Sequence, residues 1–208
     1  MRKIVTFREF EEKDIDFIYK CKNDESLWNM TVGGFRKFSY EDAEKWVRGC
    51  MGNHEDFRFW AVCTNDDVRR VVGYVSITKI SRINHSAQFG GIMIGDPAYQ
   101  GGVAWIQIYQ FVLEYVFEEL GLNRLGGRAI TEHPQTITMM EALLFQKEGV
   151  ERQSVYQNGR YYDIQTHALL RKDYFEYKER GEYKFSSILK RIATLSKQNK
   201  YNGEFIAK

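Results

Sequence analysis

Proline and cysteine are both scarce in this chain. Two prolines in 208 residues, about a fifth of average usage, leave little room for structureless linkers. Three cysteines, Cys21, Cys50 and Cys63, are too few and too far apart for a disulfide framework, a CxxC site or a zinc knuckle. Reduced core residues are expected, and no metal centre. No apolar run is long enough to span a bilayer, and the opening MRKIVTFREF lacks the apolar stretch of a signal peptide. The expectation is a cytoplasmic protein with no integral membrane segment. Thirty basic against 28 acidic residues lack the concentrated positive charge that a phosphate backbone demands, which argues against a nucleic-acid partner. Neither a solenoid-type repeat nor a low-complexity tract is visible.

What the chain has in plenty is core material. Hydrophobic residues make up 43% of it and 31 residues are aromatic, enough for one globular domain of ordinary size. Lys3 to Phe10 alternates as an opening strand. Asp14 is expected to cap a helix carrying Ile15, Ile18 and Tyr19. Ser39, with Asp42 three residues on, signals a second helix through Ala43, Trp46 and Val47. Between the two lies a loop, Trp28 to Phe38, rich in aromatics and glycine, that suits either a binding wall or a packed lid. Three apolar runs, 57–64, 70–80 and 86–94, are separated by short polar turns and read as antiparallel strands. Gly95-Asp96-Pro97 and Gln100-Gly101-Gly102 then lead into a helix over 103–120. Its polar residues Gln107, Gln110, Glu114 and Glu118 form one stripe on an apolar cylinder, so most of it is buried.

Gly121 stops that helix, and Leu122 to Ile130 is the next strand, placed parallel to 86–94 by a right-handed crossover. Pro134 suits the first position of a further helix with Ile137, Met140 and Leu144 inward. The run 151–170 is broken by Asn158-Gly159, the pair a type I′ turn requires, and reads as a hairpin. The order implies an α/β chain with a mixed sheet flanked by helices. From Arg171 onward ten basic residues face five acidic ones, and Phe185, Ile188, Leu189, Ile192 and Leu195 recur at helical spacing. The expected division is a domain over 1–174 and a basic appendage over 175–208 with one amphipathic helix. That helix is left to dock on its own domain, on a homodimer mate or on a membrane surface.

The junction of strand, Gln100-Gly101-Gly102 and buried helix carries chemistry. A helix start presents unpaired N–H groups and a positive dipole end, and glycines let a ligand approach that backbone, so the place suits a phosphate. Neither a nucleotide P-loop nor a dinucleotide GxGxxG is present.

In element order and in several segments the chain resembles the GCN5-related N-acetyltransferase (GNAT) family, in particular the branch that acetylates ribosomal-protein N-termini and the related amino-sugar acetyltransferases. The segments are Trp60-Ala61-Val62, Val72-Gly73-Tyr74-Val75, Asp96-Pro97-Ala98-Tyr99-Gln100-Gly101, the run Tyr115 to Arg124, and Gly159-Arg160-Tyr161-Tyr162-Asp163. The resemblance covers Val5 to about Tyr174. It implies an acyl-CoA N-acyltransferase fold, a mostly antiparallel sheet with one splayed parallel pair, and acetyl-CoA as co-substrate for a small-molecule primary amine. An amino sugar stands ahead of a protein N-terminus, and a CoA-binding module without turnover is the other reading. The pyrophosphate is placed on backbone between Gln100 and Trp105, through Gly101, Gly102, Val103 and Ala104. The oxyanion donor falls in the strand at Ile92, Met93 or Ile94.

Several positions depart from the family pattern. Val103 and Trp105 occupy two small positions of the loop, His133 stands for an asparagine, Met140 for the tyrosine taken as the acid on the CoA sulfur, and Gln88 for a glutamate base. Direct attack by an amine needs an oxyanion donor and a route for one proton, and no enzyme nucleophile. His133, His85 and Glu132 are therefore the candidate proton acceptors, with His133 also readable as a helix cap or cofactor contact and Met140 as core. Trp28, Phe35, Arg36, Tyr161 and Asp163 are candidates for the acceptor pocket.

Overall fold

The computed structural model describes residues 2–28, 31–52 and 54–198. The ten residues 199–208 of the expected appendage lie outside them. Seven strands form one sheet: β1 (Val5–Arg8), β2 (Arg58–Thr64), β3 (Val71–Ser81), β4 (Ser86–Ile94), β5 (Arg124–Ile130), β6 (Gln146–Gln157) and β7 (Arg160–Leu170). They lie side by side as β1-β2-β3-β4-β5-β7-β6. Neighbours are antiparallel except β4 and β5, whose parallel pairing is confined to Ser86, Ala87 and Gln88 against Arg124, Leu125 and Gly126. Beyond Gln88 and Gly126 the two strands part, giving the splayed parallel pair that the sequence implies.

Six α-helices flank the sheet: α1 (Ile15–Lys22), α2 (Tyr40–Cys50), α3 (Gly102–Glu114), α4 (Pro134–Ala142), α5 (Arg171–Glu179) and α6 (Phe185–Gln198). The Ser39 hydroxyl accepts the Asp42 N–H while the Asp42 carboxylate takes the Ser39 N–H, a full capping box that starts α2. Asp14, expected to cap α1, makes no such bond. Its buried carboxylate instead receives two Arg8 guanidinium nitrogens at 2.6 and 2.7 Å and the Glu11 N–H at 2.9 Å. A fork of charged donors outcompetes a single backbone N–H for the same oxygens.

α3 runs on into a π-helical turn over Tyr115–Glu119, where the Leu120 N–H reaches the Tyr115 carbonyl. Three residues of its polar stripe bond to other parts of the chain, while the fourth, Glu114, is exposed. Gln107 Oε1 accepts the N–H groups of Ile4 and Val5, Gln110 donates to the Tyr183 carbonyl, and Glu118 takes the hydroxyl of Tyr174 and the ammonium of Lys178. Gln107, Gln110 and Glu118 thus fasten the two ends of the chain to the central helix. The hairpin turn is as read: Asn158 and Gly159 both have positive φ, 52° and 76°. β6 starts earlier than expected, because as the sheet edge it exposes nearly every side chain and so carries no apolar alternation.

The boundary expected at 174/175 falls inside α5, and 175–198 carries part of α5 as well as the whole of α6. α6 docks on its own domain. Ile188 and Ile192 are fully buried in the core that α3, α4 and the sheet share, and Arg191 donates to the Ala142 carbonyl at the end of α4 at 2.7 Å. The charge imbalance that suggested an appendage is a surface property, while the apolar face decides where the helix sits.

Candidate active site

The splay between β4 and β5 opens a cleft of 610 Å³. One wall is Phe89 to Ile94, the other Arg128 to Ile130, and the start of α3 closes one end with Gln100, Gly101 and Trp105. Ser26, Leu27, Thr31 and Val32, from the loop after α1, form a roof. That loop is tied across the cleft, since the Gly33 N–H donates to Gln157 Oε1 of β6 at 3.1 Å.

A bulge in β4 sets the geometry of the first wall. Pairing with β3 jumps from Ser76↔Gly91 to Ile77↔Phe89, leaving Gly90 as the extra residue. A Cβ at Gly90 would lie 2.4 Å from Ser76 Oγ, so only glycine fits there. The bulge re-aims the strand just before Ile92, Met93 and Ile94, which remain in the wall.

At the α3 start Gly101 has φ 130° and ψ 179° and Gly102 has φ 24°, backbone that a side chain disfavours. The N–H groups of the first helical turn have no intrahelical acceptor and sit at the positive end of the dipole. Of the expected phosphate contacts, Gly101 and Trp105 reach the cleft, while Gly102 and Ala104 are buried and Val103 does not line it. Gln100 lines the cleft but turns its amide onto the Ile94 carbonyl at 2.9 Å. The Gln100 amide therefore braces the loop.

His133 is the N-cap of α4 and lines the cleft. Its Nδ1 accepts the Thr136 N–H at 3.3 Å, which assigns the ring proton to Nε2. Burial holds its pKa below the ordinary histidine value, favouring the neutral ring. In this state His133 offers the cleft a donor. Met140 is buried and lines the cleft from α4, against Gly127, where a Cβ would meet its Cε at 2.8 Å. Gln88 lies where the strands part. Its Nε2 is buried and has no hydrogen-bond partner, and its Oε1 would be 2.7 Å from a Cβ at Gly126.

Other expected site residues lie elsewhere. His85 sits in the turn before β4, with φ 47°, about seven strand residues or some 20 Å from the oxyanion segment. Its carbonyl is taken by Asn123 and Arg124. Glu132 is ion-paired with Arg160 at 2.6 Å and does not line the cleft. Asp163 accepts the Gln153 N–H at 2.7 Å and so orders the bulged hairpin. Trp28 donates its indole N–H to the Cys21 carbonyl at 3.0 Å and packs with α1 and α2. Tyr161 pairs with Tyr156 on the exposed hairpin, and neither Phe35 nor Arg36 lines the cleft.

From the loop after α1, Thr31 and Val32 line the cleft, while Trp28 packs toward the core. Lys79, Thr78, Tyr109, Arg128 and Gln135 also line the cleft, and of these Tyr109 is stacked on Phe89 at 4.8 Å. Nothing in the sequence pattern singles them out, because the splay alone brings them together. Cys21 and Cys50 are buried thiols whose pKa burial pushes up to about 12, and with Cys63 they are unpaired. They are inert at neutral pH. Among the described residues no cluster suits a metal ion, and no helix is long and apolar enough to cross a membrane.

Residues 5–146 match the family model of the acetyltransferase (GNAT) domain. The chain is 30% identical over 143 residues to the probable N-acetyltransferase YjcK of Bacillus subtilis, covering 69% of this chain and 75% of that protein. It is 24% identical over 179 residues to the spermidine N(1)-acetyltransferase of Vibrio cholerae, covering 86% of this chain and all of that one. The crystal structure of spermidine N-acetyltransferase from the same organism, in complex with CoA and spermine, superposes with a TM-score of 0.74 at 24% identity. That alignment covers 84% of this chain and 99% of the other, a likeness of fold.

Proposed function

The chain belongs to the acetyltransferase (GNAT) family and is an acetyl-CoA-dependent N-acetyltransferase, and from that premise we propose that it acetylates the primary amine of a small hydroxylated molecule, an amino sugar foremost. The observation that carries this reading is the cleft at the β4–β5 splay, which runs from the glycine-rich start of α3 to a roof of short side chains, Ser26, Leu27, Thr31 and Val32. Such a roof admits a small acceptor. The three buried, unpaired thiols suit the reducing cytoplasm.

The residues present fit the co-substrate. Free N–H groups at the first turn of α3 and the glycine pair before it would hold the pyrophosphate. When bound, acetyl-CoA supplies an acetyl group activated as a thioester, whose C–S bond breaks as the new amide C–N bond forms. The backbone of β4 after the Gly90 bulge donates to the oxygen on which charge develops. His133 presents Nε2–H on the opposite wall as a hydrogen-bond donor to that oxygen or to the departing sulfur. No carboxylate lines the cleft among the described residues, so the ammonium gives one proton to solvent before the free amine attacks, and the second proton that the nitrogen sheds as the amide forms passes through solvent to the departing thiolate, which leaves as free thiol.

The test is thiol release. With acetyl-CoA and a panel of amino sugars, short peptides and polyamines, free thiol should appear in proportion to acetylated amine, with amino sugars the better acceptors. CoA binding by calorimetry without thiol release from any amine would instead assign the chain as a CoA-binding module. Preference for peptides would move the acceptor to protein N-termini.

A further inference from the structure

The end of the cleft away from Gly101 is cationic. Lys79, from the bulged end of β3, and Arg128, from β5, both line it, Lys79 next to the level of Gln88 and Arg128 two residues farther along, level with Gly90. Gln88↔Thr78 and Gln88↔Gly126 are the registers that place them there. Counting four to six strand residues back from Ile94, where the Gln100 amide ties in the loop, this end lies about 13–20 Å from that loop and its phosphate-binding backbone.

Its charges are only partly answered. Glu151 and Ser154 engage one nitrogen of Arg128, and exposed Lys79 acts on the same Glu151 through space rather than in a close hydrogen-bonded pair. Beside them Gln88 Nε2 is a buried donor with no partner. Among the described residues no aspartate or glutamate lines any part of the cleft. Behind the lining Glu151 answers part of this charge, while the surface turned to the cleft presents donors and positive charge.

An amine that brings further ammonium groups meets like charge there and finds no carboxylate to hold it. An amine that brings a carboxylate or phosphate finds an ammonium, a guanidinium and a free amide N–H. The same positive field lowers the pKa of the reacting ammonium and so raises the free-base fraction, which answers the missing base at Gln88. We propose that the Lys79–Arg128 end of the cleft binds an anionic group of the acceptor, so that the substrate is a small amine carrying a carboxylate or a phosphate. This inference rests on the acetyl-transfer reading above and narrows its acceptor.

The test compares matched amines on the full chain with saturating acetyl-CoA: glucosamine 6-phosphate against glucosamine, an amino acid against the amine left by its decarboxylation, and spermidine alone. The anionic member of at least one pair should have a kcat/KM at least tenfold higher, mostly through KM, and which pair shows it distinguishes phosphate from carboxylate. Lys79→Gln and Arg128→Gln should each shrink that ratio several-fold. Spermidine, or the members without an anionic group in both pairs, being the better substrates, or a ratio indifferent to both substitutions, overturns the proposal. Calorimetry on the CoA-loaded protein separates this from failure of the acetyl-transfer reading. There the amines that carry an anionic group should bind at least tenfold more tightly than their counterparts without one whether or not thiol is released, and equal binding refutes the anion site by itself.

Discussion

Nδ1 of His133 accepts the backbone N–H of Thr136 at 3.3 Å, so the same bond that starts α4 decides which ring nitrogen faces the cleft with a proton. A base would need its lone pair on the cleft side, and protonating Nδ1 would break the cap. His133→Asn keeps both functions, since asparagine is a good N-cap and its amide donates. It should retain the rate within about tenfold. Because burial lowers the His133 pKa, the acid limb of the pH–rate profile should follow the amine substrate and persist in the variant. An acid limb that disappears with His133 would restore it as the base. His133→Ala should cost about 1 kcal/mol of stability through the lost cap, read as a lower denaturation midpoint.

CoA affinity should depend on Gly101 in two separable ways. At φ 130° any side chain strains the loop, so Gly101→Ala should weaken CoA binding by roughly tenfold, in keeping with the 1–3 kcal/mol of such backbone strain. Gly101→Asp adds a carboxylate against the pyrophosphate and should weaken it further. Calorimetry with CoA measures both. Equal loss in the two variants would mean that the phosphates lie away from this loop.

The glycine-rich loop, the Ser39 capping box, Pro134 at the start of α4 and the Asn158-Gly159 turn were legible in the sequence because each depends on residues within four positions of one another. The parallel pairing of β4 with β5 followed from the helix between them. What the sequence hid depends on long-range geometry. The strand splay brings Lys79, Gln88 and Arg128 together from three different strands, and no local pattern marks them. Trp28 and Tyr161 looked like pocket walls on side-chain type alone, but a large ring gains more from burial against α1 or from a neighbouring tyrosine than from lining an open cleft. The same holds for Glu132, whose charge is taken by Arg160 on a neighbouring strand.

Removing 175–208 should damage the fold. The cut would divide α5 and strip Ile188 and Ile192 from the core beside α3 and α4, and burial of two such side chains contributes roughly 3–6 kcal/mol. The Gln110 bond to the Tyr183 carbonyl and the Arg191 bond to α4 go with them. A chain ending at Tyr174 should therefore melt well below the full protein or fail to fold. Ile188→Ala, a milder change, should cost roughly 2–4 kcal/mol while leaving CoA affinity of the folded fraction near normal. A truncated chain with an unchanged melting midpoint would show that α6 contributes little to the core.

Lys22 supplies the pH-dependent term in stability. Its ammonium is buried among four rings, 4.2 Å from the centroid of Trp46, 4.7 Å from Trp28, 5.4 Å from Phe38 and 5.5 Å from Tyr74. Cys21, Cys50 and Arg36 are the other titratable or charged neighbours that act on it. Burial pulls its pKa down to about 8, while the ring faces favour the charged form and oppose that pull. With burial the larger effect, the unfolded chain between pH 8 and 10 still holds a proton that the folded chain has released. Stability from this group therefore rises with pH across that window. Measured against Lys22→Met, the wild type should gain roughly 1–3 kcal/mol between pH 7 and pH 10, and tryptophan fluorescence from Trp28 and Trp46 should titrate near pH 8 in the wild type alone. A difference that stays flat up to pH 10 would mean that the four rings cancel the cost of burial, and Lys22 would then remain an ammonium throughout the working range.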